Sequence, residues 1–284
     1  MDYPGNLFVV AAPSGAGTAP VGGETAAQIA TIISPLVTAM RRWQLSGGIA
    51  AMLPSGAPAV LSGQHQRLLT ILLLARRRPV SAATIEDRLW SQHTAASAAA
   101  VRVAVNRLRH QLGDSSAIET GEGGYRLDAA DDDVDLWHFD RLVRASQADS
   151  DLTRALHTVD EAIALWKGAP FGALRDEPWV VPMAAHLEEL RRCAEEHWSD
   201  LSLRRGITDV DITRLQIAAE RDPLRERRWM QLMLALYRRH RQTDALRAAS
   251  RARETLLETA GLEACRELTD LELRILRHDD ELMY

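Results

Sequence analysis

Arg102, Asn106, Arg107, Arg109 and His110 crowd into a stretch, residues 101–112, that holds three Arg and no acid. Ser97 can cap a helix there by accepting a hydrogen bond from a free first-turn N–H. Gly113 can adopt the left-handed conformation that closes it. Between them Val101, Val105, Leu108 and Leu112 follow at spacings of four, three and four. At 3.6 residues per turn they share one face, within about 60°. Arg102, Val103, Asn106, Arg107 and His110 take the opposite face, with Arg109 on the flank. A solvated helix face normally mixes charge signs, and this one does not. Guanidinium and amide donors in a single positive field suit phosphates and base edges. The pattern also describes an ordinary Arg-rich amphipathic helix, and the flanking sequence has to decide between the two.

The flanks supply a DNA-reading frame. After Gly113 comes Ala117-Ile118-Glu119-Thr120, then Gly121-Glu122-Gly123-Gly124, then Tyr125-Arg126-Leu127, the pattern of a hairpin wing. Upstream, residues 43–61 read as short strands broken at Gly47-Gly48 and Pro54-Ser55-Gly56. Ser62 caps a helix to about Arg76, with Leu68, Leu69, Leu72 and Leu73 on its apolar face. Ser81 caps a second helix that buries Ile85, Leu89 and Trp90. Sheet, three helices and hairpin make a winged helix-turn-helix over 41–128. Its third helix is expected in the major groove. Arg102 and Asn106 are then the base-reading candidates, and Val103 can pack on a thymine methyl. Arg107, Arg109 and His110 are placed for phosphates as the helix leaves the groove. Thr120 and Arg126 are the wing candidates; Arg67, with Gln66, is a phosphate candidate on the first helix. Tyr125 is expected to pack beneath the hairpin.

The 284 residues allow two cored domains, and 46% apolar with 26% charged residues is ordinary for a globular chain. No run approaches the ~20 apolar residues of a membrane span. Residues 1–40 hold no Lys or Arg, so they lack the basic start of a secretory signal. Cys193 and Cys265 do not make a disulfide framework, which points to a reducing cytoplasm. Lys167 is the only lysine among 34 basic residues, which reads as the codon signature of a GC-rich genome. The net charge of −5 conceals an asymmetry: residues 41–128 carry eleven Arg against six acids, whereas 129–284 carry 23 bases against 31 acids. A basic module on an acidic body fits a DNA-binding head with a protein-facing remainder.

Residues 1–40 read as a flexible leader, with a short helix over 24–39, and Met40 is a candidate start. Leu7 to Thr18 is similar to the strand and phosphate loop of a nucleotide kinase, but Thr18 follows Gly17 where the loop needs a Lys. Residues 129–135, with Asp131-Asp132-Asp133, form a polar linker. From 136 to 284 the pattern is helical, with helices near 136–148, 151–166, 178–205, 208–221, 224–239, 242–259 and 264–279. Trp229, Leu232, Leu236, Tyr237, Ala245, Leu246 and Ala252 fit a tetratricopeptide helix pair. The fold class is therefore mainly α: a winged helix-turn-helix with a small β-sheet and wing, followed by an all-α tetratricopeptide-like domain. His186, Cys193 and His197 fall at spacings of seven and four, but no fourth ligand is evident and a helical core explains them better than zinc. No nucleophile–base–orienter set appears, so neither an enzyme nor a cofactor is expected.

Several words of the sequence carry a family resemblance. Leu-Ser-Gly-Gln-His-Gln-Arg-Leu-Leu (61–69), Arg-Pro-Val-Ser (78–81), Val-Asn-Arg-Leu-Arg-His-Gln-Leu-Gly (105–113) and Gly-Tyr-Arg-Leu-Asp (124–128) resemble the OmpR-type winged helix, in the version found in the SARP family of antibiotic-regulatory activators. Ala-Leu-Trp-Lys-Gly-Ala-Pro-Phe (164–171), Asp-Glu-Pro-Trp (176–179), Pro-Leu-Arg-Glu-Arg (223–227) and Arg-Gln-Thr-Asp-Ala-Leu (241–246) resemble the activator domain that follows it. Ala249, Ala264 and Arg266 depart from that pattern, which has an aromatic residue and two prolines there. The resemblance implies binding of double-stranded promoter DNA at tandem repeats as a homodimer. It also implies a contact of loop 91–96 with RNA polymerase. Related wings place a basic residue before the Gly-Tyr, and Gly121-Glu122 stands there instead, which implies a weaker wing contact. The rival reading, supported by Glu122, is a protein-interaction scaffold whose winged helix no longer binds DNA. A third, an enzyme built on the Ala12–Thr18 loop, requires nucleotide affinity.

Overall fold

Local capping sets the winged helix. In a computed structural model, residues 42–90 and 98–283 are described. The 1–40 leader, the Ser97 cap and the 91–96 polymerase-contact loop lie outside the described residues. Strand β1 (Trp43–Gln44) pairs antiparallel with β2 (Ala50–Ala51), Trp43 opposite Ala51. Ser62 accepts from the His65 amide and starts α1 (Gly63–Leu74). Ser81 accepts from the Thr84 amide and starts α2 (Ala82–Leu89). Helix α3 (Ala98–Gln111) follows, then β3 (Ile118–Gly121) and β4 (Gly124–Leu127), joined by a turn at Glu122 and Gly123. Val80 and Tyr125 exchange amide hydrogen bonds of 2.8 and 2.9 Å, so the wing is tied to the segment before α2. Trp43, Leu68, Leu72, Ile85, Val101, Val105, Leu108 and Leu112 form the shared core, and Tyr125 is buried beneath the hairpin.

The remaining described residues are helical: α4 (Asp135–Ala148), α5 (Leu152–Ala164), α6 (Val181–Arg205), α7 (Asp209–Arg221), α8 (Glu226–Arg238), α9 (Gln242–Ala260) and α10 (Arg266–Leu276). Asp151 caps α5, and Thr208 with Asp211 forms a capping box on α7. Helix α6 starts three residues later than the spacing predicts. Phe171 sits at φ +64° and leads into a 3-10 turn, Gly172–Leu174, and Pro182 occupies the first turn of α6. Helices α8 and α9 pack as the expected hairpin.

The junction at 129–135 is not a solvated joint at its end. Val134 is buried and bridges Trp43. Asp135 is 4% exposed, and its carboxylate accepts from the amides of Leu45 (2.9 Å), Ser46 (2.9 Å) and Leu136 (2.8 Å). Burial pushes this carboxyl up from its ordinary range, and the three amide donors pull it back. Nearby, the Lys167 amide donates to Ser46 Oγ (2.6 Å), Gly47 N to Ala169 O (3.0 Å) and Phe171 N to Leu45 O (2.7 Å). The winged helix and the helical part therefore share one continuous core.

Candidate nucleic-acid interface

Helix α3 buries Val101, Ala104, Val105 and Leu108, which turns Arg102, Val103, Asn106, Arg107 and His110 to the surface. Val103 is 49% exposed, so a branched apolar group stands among the donors. Among the described residues no carboxylate pairs with Arg102 or Arg107. Many arginines of the helical body do have such partners: Arg144 pairs with Asp140, Arg154 with Asp149 and Arg241 with Asp244. Helix α3 thus presents an acid-free face.

Arg109 is engaged elsewhere. Its Nε donates to Ile118 O (2.9 Å), Nη2 to Thr120 Oγ1 (2.9 Å) and Nη1 to Asn106 Oδ1 (3.1 Å). The guanidinium bridges α3 to β3 and holds the Asn106 amide, leaving the Asn106 Nδ2 donors and one Oδ1 lone pair for another partner. Thr120 belongs to the same bridge. Arg126 lies across the wing and pairs with Glu119, with Nε to Oε2 at 3.0 Å. Arg67 pairs with Glu177 of the helical part, while Gln66 Nε2 donates to Leu61 O at 3.4 Å. The structure thus gathers Arg102, Val103, Asn106, Arg107 and His110 on one face. It turns Arg109 and Thr120 toward each other, and places Arg126 and Arg67 in ion pairs.

Two supporting groups escaped the sequence reading. His65 is buried under this face, with Nδ1 2.9 Å from Ser62 Oγ. Burial, and secondarily the positive charge of Arg107, lowers its pKa; the Gln111 side chain opposes them. Its burial was available from spacing, since His65, Leu68, Leu69 and Leu72 form one helical stripe. Asp114, just past α3, is held by Ser116 and Arg42, and its pKa falls to about 2. Elsewhere, His186 and Cys193 are exposed on α6 and His197 Nε2 lies 3.0 Å from Ser146 Oγ, so a helical core does not explain their spacing. No group of three or more His, Cys, Asp or Glu among the described residues could hold a metal ion. No helix among them is long and apolar enough to cross a membrane.

Known proteins share both halves. Residues 134–276 match the bacterial transcriptional activator domain, and residues 56–127 match the C-terminal domain of transcriptional regulatory proteins. Regulatory protein AfsR of Streptomyces griseus is 31% identical over 256 residues, covering 89% of this chain and 25% of that protein. Transcriptional regulatory protein EmbR of Mycobacterium bovis is 30% identical over 233 residues, 79% of this chain and 59% of that protein. Regulatory protein DnrI of Streptomyces peucetius is 28% identical, over 77% of this chain and 86% of its own length. The chain therefore spans about a quarter of AfsR and about three fifths of EmbR. The structure of Mycobacterium tuberculosis EmbR in complex with a low affinity phosphopeptide superposes with a TM-score of 0.76 at 27% identity, covering 86% of this chain and 68% of that one. With an OmpR-type winged helix ahead of a bacterial transcriptional activator domain, the chain belongs to the SARP family of bacterial transcriptional activators, which are regulators and not enzymes.

Proposed function

We propose that the chain binds double-stranded promoter DNA by seating α3 in the major groove. The observation that carries this reading is the exposed, acid-free face of Arg102, Val103, Asn106, Arg107 and His110. Arg102 and Asn106 read base edges, Val103 meets a thymine methyl, and Arg107 and His110 hold phosphates. The wing contributes less, because Glu119 neutralises Arg126 and Glu122 stands at the tip. The chain acts in the cytoplasm as a homodimer on tandem repeats and contacts RNA polymerase, as the family resemblance implies.

Footprinting of the full chain on genomic fragments, with its salt dependence, tests this reading. Arg102→Ala and Asn106→Ala should each cost about 1–3 kcal/mol of discrimination, roughly 5–150-fold, with folding intact. Arg107→Ala should weaken all sequences alike and flatten the salt slope. Parent-like footprints from both base-reading variants would reject the recognition assignment. A salt-insensitive or absent footprint from the parent would favour the scaffold reading, for which the acidic wing speaks.

A further inference from the structure

A cleft of about 600 Å3 opens between α2 and the residues that enter α6. Val80, Trp179 and Met183 give it apolar walls, and Arg78, Arg88 and Thr84 supply polar groups. No Asp or Glu lines it among the described residues. Arg88 is held with its guanidinium carbon 5.4 Å from the Trp179 ring centroid, a cation–π arrangement that fixes the cation without neutralising it. Arg78 donates from Nε to Ala75 O at 3.2 Å. Neither forms an ion pair among the described residues, although the adjacent Arg76 and Arg77 reach Asp140 and Asp131.

Two uncompensated guanidinium groups beside an apolar surface make a specific demand. Each offers planar N–H donors suited to a carboxylate or phosphate. The apolar walls reward a molecule that also has a hydrophobic body, and the volume falls in the range of ligand sites, about 300–1,000 Å3. A nucleic-acid strand would use the cations and leave the Trp179–Met183 wall uncovered. We infer that this cleft binds a small organic anion: a carboxylate or phosphate ester on an aromatic or branched alkyl body. The walls come from both halves of the chain, so the bound anion bridges α2 to the start of α6. The inference does not depend on how α3 reads DNA.

The test uses the full chain and two fluorescent probes, the anion anilinonaphthalene sulfonate and its uncharged counterpart N-phenylnaphthylamine. The anion should bind saturably and more tightly than the neutral probe. The double variant Arg78→Gln, Arg88→Gln should weaken the anion at least about tenfold and leave the neutral probe unchanged. In a chain carrying methyl-labelled methionine, the Met183 resonance, assigned through Met183→Leu, should shift on anion addition in the parent and not in the double variant. Should the double variant fail to fold, Arg78→Gln alone, at an exposed position, must still weaken the anion. Equal affinity for both probes, an arginine-independent anion affinity, or an unmoved Met183 methyl during saturation would overturn the proposal.

Discussion

Arg109 donates to Ile118 O, Thr120 Oγ1 and Asn106 Oδ1, so one side chain joins the recognition helix, the wing and a base-reading amide. Arg109→Met keeps the aliphatic stem and removes every donor. It should destabilise the fold by about 1–3 kcal/mol in urea unfolding, because the Ile118 carbonyl loses its partner. It should also relax discrimination at the base facing Asn106, read by footprinting on substituted sites. Unchanged discrimination would show that Asn106 needs no support. Two histidines set a pH dependence. Burial, first among its causes, lowers the His197 pKa; Asp200 opposes it and Arg204 reinforces it. Ser146 Oγ donates to Ala155 O at 2.7 Å, so it accepts from His197 Nε2, which fixes the neutral tautomer. His65 is lowered as well. For both, the folded pKa lies below the unfolded value near 6.5, so the unfolded chain binds more protons below that point. Stability should therefore hold above pH 7 and decline as pH falls through about 6.5, a window in which ordinary carboxylates do not titrate. Urea midpoints from pH 8 to 5.5 check it, and His197→Gln should flatten the slope.

At the scale of elements, the wing depends on the contact between β4 and Val80. Gly124 sits at φ +114°, and a Cβ there would collide with the Val80 carbonyl. Gly124→Ala must break the Val80–Tyr125 hydrogen bonds, and Tyr125 is a core residue. The variant should lower the thermal midpoint and raise amide exchange selectively in β3, β4 and residue 80. Protection equal to the parent would show that the wing stands without that tie. Most elements were legible because their signals are local. Ser62, Ser81 and Thr208 cap helices by bonding within three residues, and α3 declares its two faces by period alone. The choice between solvent and wing for Arg109 was not legible, because both lie within reach of a flank position. The pairing of Arg67 with Glu177 joins residues 110 apart, and no periodicity encodes such a meeting. Lys167 and Ser46 are 121 apart, so the shared core at the junction was invisible for the same reason.

That junction decides how the whole molecule unfolds. Trp43 is fully buried, and it bridges Val134 across the boundary. Gly47 at φ +75° lets the β1–β2 turn approach Lys167, whose carbonyl would lie 3.1 Å from an added Cβ. Leu45 and Ser46 have their amides satisfied only by Asp135 among the described residues. The strands of the winged helix are thus completed by the helical part, and one core runs across the boundary. Calorimetry and near-ultraviolet circular dichroism should report one coincident transition for residues 42–283. Asp135→Ala should lower that single midpoint, because it strands buried amide donors at about 1–3 kcal/mol each. For a cooperative unit of this size, each kcal/mol shifts the midpoint by about 2–4 °C, so a fall of several degrees is expected. If Asp135→Ala instead split the trace, with the helical part melting at its parental temperature, the halves would be independent bodies joined by a linker. A fragment ending at residue 128 lacks Val134, Asp135 and Phe171, and it should lose the near-ultraviolet signal of Trp43 even where its three helices persist.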